Sequence, residues 1–244
     1  MEPLIAASVL ATFLFAAFLK GTAGLGFATT CLGVMAAYLD LKTAIPLVIV
    51  PSLAANALVM FGAGGFVRVF RRFWPMFAAA LPGLLLGLWI LNGVHSDLPR
   101  AVLGASMVLY AAWGIWGGTF RLEHAPGPAV GVGLVTGLVN GLTGSQIMPV
   151  LPYLMSLPIT KDELVQAINT SFSLSSLVML AGMGKFGLLT RDVLLLSAVG
   201  IAPVGLGIWV GGKIRRRLPE AAFRKMVHVL VGALGLALIG RALA

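Results

Sequence analysis

The chain has 244 residues, of which 59% are hydrophobic and 10% charged, with a formal net charge of +9. A soluble domain carries about 25% charged residues, and one core of this size could not hide so much apolar surface, so a water-soluble globule is excluded. The cations cluster between apolar segments, at Arg68, Arg71 and Arg72 and again at Lys213, Arg215, Arg216 and Arg217. Membrane-protein loops have this pattern, so lipid and not nucleic acid is the expected partner.

Backbone groups facing hydrocarbon need partners of their own, which restricts the spans to helices or a closed barrel. The apolar runs, such as Ala101–Gly118, have the length of a helix crossing a bilayer about 30 Å thick. They lack the short alternating segments of a barrel. The fold class expected is all-α: a polytopic transmembrane helix bundle made of two sequence-related halves, each opening with a broken or re-entrant helical stretch.

The first apolar stretch, Pro3–Leu39, is too long for one ordinary span and is interrupted at Lys20-Gly21-Thr22-Ala23-Gly24-Leu25-Gly26. Only Glu2 precedes Leu4–Leu19, so this is read as a retained membrane segment and not a secretory signal. Spans follow near Thr43–Phe61, Phe73–Leu91 and Pro99–Gly117. A polar link with Arg121, Glu123, His124 and Pro126-Gly127-Pro128 is the natural midpoint. The second half opens with Ala129–Leu157, interrupted at Asn140-Gly141-Leu142-Thr143-Gly144-Ser145-Gln146, and continues near Asp162–Ala181, Thr190–Gly211 and Phe223–Ile239. The division is therefore 1–120 for the first repeat, 121–128 for the linker and 129–244 for the second repeat.

The halves match at an offset of about 120 residues: Lys20-Gly21 falls on Asn140-Gly141, Lys42 on Lys161, and Gly87-Leu88-Trp89-Ile90 on Gly207-Ile208-Trp209-Val210. Single crossings of the interrupted stretches would make the halves parallel and divide the basic residues seven to nine, with Lys20 uncounted. Hairpins, or tight pairs of spans, would invert the halves. One side then holds Arg68, Arg71, Arg72, Arg121, Lys161, Lys213, Arg215, Arg216, Arg217, Arg224 and Lys225, and the other Lys42, Arg100, Lys185, Arg191 and Arg241. This 11-to-5 division follows the positive-inside rule and favours inverted repeats with both termini away from the cytoplasm.

Broken helices with unpaired amides, in corresponding positions of two repeats, are the strongest sequence pointer to a transport site. Gly21, Gly24, Gly141 and Gly144 permit a sharp turn and close backbone approach, and equally suit helix packing through small residues. Free N–H groups at a helix start would favour an anion. Lys20, at a hairpin tip, would attract an oxyanion; alternatively it snorkels to the surface. Asn140, Thr143, Ser145 and Gln146 could donate to anion oxygens, or bond between helices. Pro149 and Pro152 are expected to interrupt the next helix. Asn56 in the first half, and Asn169 with Thr170 in the second, are polar groups inside spans that suit either substrate contact or structural hydrogen bonds.

Other chemistries have little support. His95, His124 and His228 show no metal-ligand spacing, Cys31 is the single cysteine, and no phosphate-binding loop is present. The acidic residues sit at span boundaries, so no buried carboxylate relay is evident. The five tryptophans suit interfacial anchoring or packing. No cofactor or metal is expected, and no enzyme activity.

Several motifs together resemble the TauE/SafE-like family of membrane anion permeases, the sulfite or sulfonate exporters, over nearly the whole chain. They are Phe18-Leu19-Lys20-Gly21-Thr22-Ala23-Gly24-Leu25-Gly26 with Leu41-Lys42-Thr43-Ala44, and Gly137-Leu138-Val139-Asn140-Gly141-Leu142-Thr143-Gly144-Ser145 with Pro149 and Ile159-Thr160-Lys161. Ala202-Pro203-Val204-Gly205-Leu206-Gly207 and Arg217-Leu218-Pro219…Phe223-Arg224 add to the likeness. The family has richer glycine clusters after both breaks, where this chain has Phe27-Ala28 and Ser145-Gln146. The resemblance implies secondary transport of a small anion, foremost sulfite or an organosulfonate, across a bacterial cytoplasmic membrane, with export favoured and a coupling ion or gradient supplying direction. A carrier of another solute, such as thiosulfate or a carboxylate, and a noncatalytic membrane interaction protein are the alternatives.

Overall fold

A computed structural model describes residues 2–23, 26–116, 122, 125–215 and 220–243, with side chains left undescribed at Ala23, Arg215 and 220–224. Gly24, Leu25, Arg121, Glu123, His124 and the basic motif at 216–219 lie outside it. The described elements are all helical: α1 (Pro3–Ala23), α2 (Phe27–Met35), α3 (Leu41–Ala63), α4 (Phe66–Gly93), α5 (Asp97–Ile115), α6 (Pro126–Thr143), α7 (Val150–Ser156), α8 (Lys161–Lys185), α9 (Arg191–Val199), α10 (Ile201–Arg215) and α11 (Glu220–Leu243). Seven described helical segments, with α9 and α10 counted as one, are long and apolar enough to cross a bilayer. The chain is thus a multi-pass membrane protein with an all-α bundle. Lipid-facing positions carry large apolar side chains such as Leu85, Trp89, Leu195 and Leu236, while the core is built around Phe13, Phe27, Phe73 and Leu84.

Helix starts follow local chemistry. Asp40 accepts from the Lys42 backbone N–H at 2.8 Å and caps α3. Thr160 and Glu163 form a reciprocal capping box on α8. Thr190 caps α9, which passes into α10 at Gly200 with the helical ladder continued by Val204 N–H to Gly200 O at 3.2 Å.

Close backbone contacts give the helix directions. Gly133 lies against Met76, Gly137 against Ala80 and Gly141 against Leu84, both numbers rising together, so α4 and α6 run parallel. Gly207 meets Leu14 and Gly211 meets Phe18, so α1 and α10 also run parallel. Gly104 meets Gly235, and Gly114 meets His228, so α5 and α11 run antiparallel. With short links reversing the chain between α3 and α4 and between α4 and α5, α1 and α3 point the same way, and α2 returns between them. The polar contacts agree with these directions. At one end Ser96 donates to the Asp40 carboxylate, Lys42 to the Asn92 carbonyl and Arg241 to the Ala37 carbonyl. At the other, Arg68 and Arg72 each lie 3.9 Å from Glu163.

Packing partners are exchanged between the halves: α1 lies along α10 as α6 lies along α4, α3 packs on α8, and α5 on α11. The register of this exchange corrects one sequence pairing. Gly83 and Gly87 meet Leu134 and Leu138 as Gly207 and Gly211 meet Leu14 and Phe18. The spatial counterpart of Gly87 is therefore Gly211 and not Gly207, one helical turn later. The longer link before α9, residues 186–190 against 64–65, accounts for the turn.

Candidate functional site

The interruptions lie later than the sequence suggested. α1 runs through Lys20, Gly21 and Thr22 to Ala23, and α6 runs through Asn140, Gly141 and Thr143. The polar residues expected in the breaks thus stand on the last turns of two helices, because a helix can hold glycine and asparagine in its final turn at small cost. The turns themselves use glycine with positive φ: Gly26 at 90° before α2 and Gly144 at 75° after α6. Pro149 and Pro152 do not interrupt α7. They stand before it and in its first turn, where no N–H is required.

Lys20 is buried at 3% exposure. Its ammonium donates to Asn56 Oδ1 at 2.5 Å and to Asn169 Oδ1 at 3.1 Å, joining α1 to α3 and α8. The Asn169 amide is oriented by its own donation to the Val165 carbonyl at 2.8 Å. Lys20 is the sole Lys, Arg, Asp or Glu among the buried residues described, and no described carboxylate pairs with it. The snorkelling alternative is thereby set aside. A cation removed from water and faced only by neutral dipoles is a strong attractor for an anion. Thr170 follows Asn169, buried, with its hydroxyl unpartnered.

Asn140 takes the corresponding place at the end of α6. It precedes Gly141 as Lys20 precedes Gly21, and a Cβ on either glycine would overlap the backbone of the neighbouring helix, Ile208 for Gly21 and Leu84 for Gly141. The surroundings differ. Asn140, Gly144 and Gln146 border a small cavity of about 20 Å³ shared with Ser52 of α3 and Ser176 of α8, and with Ala28 of α2. Leu32, Val48, Phe172 and Met179 supply apolar wall. Asn140 Nδ2 and Gln146 Oε1 are buried without a hydrogen-bond partner. At the start of α2, the first N–H groups have no intrahelical acceptor, and Ala28 brings that end to the cavity.

The two breaks meet. Thr29, just after the first, shares a hydroxyl hydrogen bond of 2.7 Å with Ser145 of the second. Thr143 supports this turn by accepting from the Ser145 N–H at 3.2 Å. Asn56, Asn169, Lys20, Asn140, Gly144, Ser145 and Gln146 are thus gathered around the α3/α8 pair. Ser52 and Thr29 were missed as site residues. Ser52 and Thr29 are short polar side chains in otherwise apolar spans, which is their only trace in the sequence.

Among the described residues no three His, Cys, Asp or Glu gather to hold a metal. His228 is buried against the Tyr110 ring, 4.9 Å between centroids, at the α5/α11 contact and away from these breaks. No curated protein and no solved structure matches the chain. The pattern of the family described as Sulfite exporter TauE/SafE matches residues 9–238, from the first half of α1 to the last turns of α11. With its spanning helices and paired breaks, the chain belongs to the TauE/SafE family, whose members are transporters of small anions across membranes and not enzymes.

Proposed function

We propose that this protein is a secondary carrier of sulfite or an organosulfonate, working as an exporter in a bacterial cytoplasmic membrane. The observation that carries this reading is Lys20, a buried lysine whose Nζ donates to two neutral amide oxygens and meets no described carboxylate. An anion supplies the missing charge. Asn140 Nδ2, the Ser52 and Ser176 hydroxyls and the first N–H groups of α2 then stand in for part of its water shell. Release remains feasible because all donors other than Lys20 are neutral.

Inverted repeats supply the means of exchange. The parallel pairing of α1 with α10 and of α4 with α6 supports opposite directions for corresponding helices of the two halves. Rocking one half against the other would expose the α3/α8 region to each side in turn, driven by a gradient or a coupled ion. The cavity, of water-molecule size, admits a larger anion only as its walls separate. Arg71 and Lys185 should then label from opposite faces when replaced singly by cysteine in a Cys31→Ser background; labelling from one face refutes the inversion.

The test is flux into proteoliposomes of the purified chain, with sulfite, sulfoacetate, taurine, thiosulfate and simple carboxylates. Saturable flux of an anion, lost in Lys20→Ala, is expected. Absence of concentration-dependent flux across the panel overturns the reading.

A further inference from the structure

The cavity beside Asn140 has hydrogen-bonding capacity that a bare oxyanion does not fill. Gln146 Nε2 donates to the Phe172 carbonyl of α8 at 3.5 Å, which leaves Oε1 as the free end of the amide. That oxygen is buried and unpartnered, as is Asn140 Nδ2 on α6. Asn140 and Gln146 both border a space of about 20 Å³, room for about one group the size of water. An acceptor oxygen repels the unprotonated oxygen of an anion, and an O–H group satisfies it. A hydroxyl is also of the right size, and it can donate to Gln146 while accepting from Asn140.

The cavity and the partners of Lys20 share two helices. Asn56, which accepts from Lys20, and Ser52, which borders the cavity, stand four apart on α3, so their Cβ atoms are about 5–6 Å apart. Asn169 and Phe172, three apart on α8, stand in a similar relation.

We propose that the carried anion is a monoanion that retains a hydroxyl proton. Its charged oxygens meet the Lys20 ammonium, and its O–H occupies the gap between Gln146 Oε1 and Asn140 Nδ2. The proposal rests on the anion-carrier reading above and narrows it. Hydrogen sulfite and a short hydroxyalkanesulfonate share the required chemistry. Dianions, and alkyl anions with no O–H, do not.

Isosteric pairs test it in proteoliposomes of the full chain. Hydrogen sulfite is compared with methanesulfinate, and 2-hydroxyethanesulfonate with propane-1-sulfonate; in each pair methyl replaces hydroxyl. In whichever pair is carried, the hydroxyl member should have the higher kcat/KM by at least about thirtyfold, because a site built around an O–H strongly rejects its methyl analogue. With that preference, flux confined to the first pair identifies an inorganic substrate and flux of the second an organic one; either supports the proposal. Gln146→Leu and Gln146→Met should each bring the ratio within about threefold of unity, in protein that elutes as a single species with unchanged helicity. Equal transport of both members of a pair by the unaltered chain overturns the proposal and leaves the carrier reading intact. A ratio unmoved by both variants overturns the role of Gln146. No saturable flux of any anion overturns the carrier reading itself.

Discussion

At the end of α1, the Lys20 side chain reaches amide oxygens on both α3 and α8. At the matching end of α6, Asn140 is a shorter, neutral side chain, and α3 and α8 meet it with Ser52 and Ser176 around an unfilled space. Both helix ends share their backbone design, with a glycine seated against a neighbouring helix and a break three to four residues later. Similar backbone designs therefore carry two different side-chain chemistries, a lysine at one end and a neutral amide beside a small space at the other. Two identical cations would hold an anion too firmly to release it, and two neutral ends would not draw it from water.

The sharpest way to break this contrast is to remove each side chain. Lys20→Met should lower flux by at least about thirtyfold, since loss of a buried charged partner costs about 2–5 kcal/mol. The same variant should change the melting temperature little, because the relieved desolvation of an uncompensated buried charge offsets the Asn56 and Asn169 oxygens left without a donor. Asn140→Ala should cost about tenfold in flux, the value of about one neutral hydrogen bond. Equal losses in the two would end the division of roles.

The shared backbone design predicts equal responses instead. Gly21→Leu and Gly141→Leu should each destabilise the protein by roughly 1–3 kcal/mol or more through overpacking, read as a lowered melting temperature in detergent. A harmless substitution at one of them would show that the two seats are not equivalent. The link between the breaks is weaker. A double-mutant cycle on Thr29→Val and Ser145→Ala should give a coupling of about 1 kcal/mol, measured from thermal unfolding. Smallest is Glu163→Gln at the end of the bundle. Its pairs with Arg68 and Arg72 are long and partly exposed, so stability should change by no more than about 1 kcal/mol.

Much of the fold was legible. Span-length apolar runs, boundary acids and cations, and glycines beside Lys20 and Asn140 all follow from the cost of polar groups in hydrocarbon. The pairing of Gly87 with Gly207 failed because apolar helices tolerate a shift of one turn with little change in composition, and the longer link before α9 moved the register. Lys20 was recognisable as an odd cation, but its depth was not, since the same lysine reaches the surface if its helix ends a turn earlier. Ser52 and Thr29 gave almost no signal, because short hydroxyl residues bond equally well to their own helix.

From residue order alone, one can conclude that this chain lives in a bilayer and that two long apolar stretches are interrupted close to Lys20 and Asn140, for these depend on local hydropathy and on backbone freedom at single positions. Only tertiary packing decided that the breaks meet, that Lys20 is held between Asn56 and Asn169, and that a cavity lies at Asn140 instead. Those outcomes depend on which faces of α3 and α8 turn toward each other, and that is settled by steric fit between helices far apart in the chain.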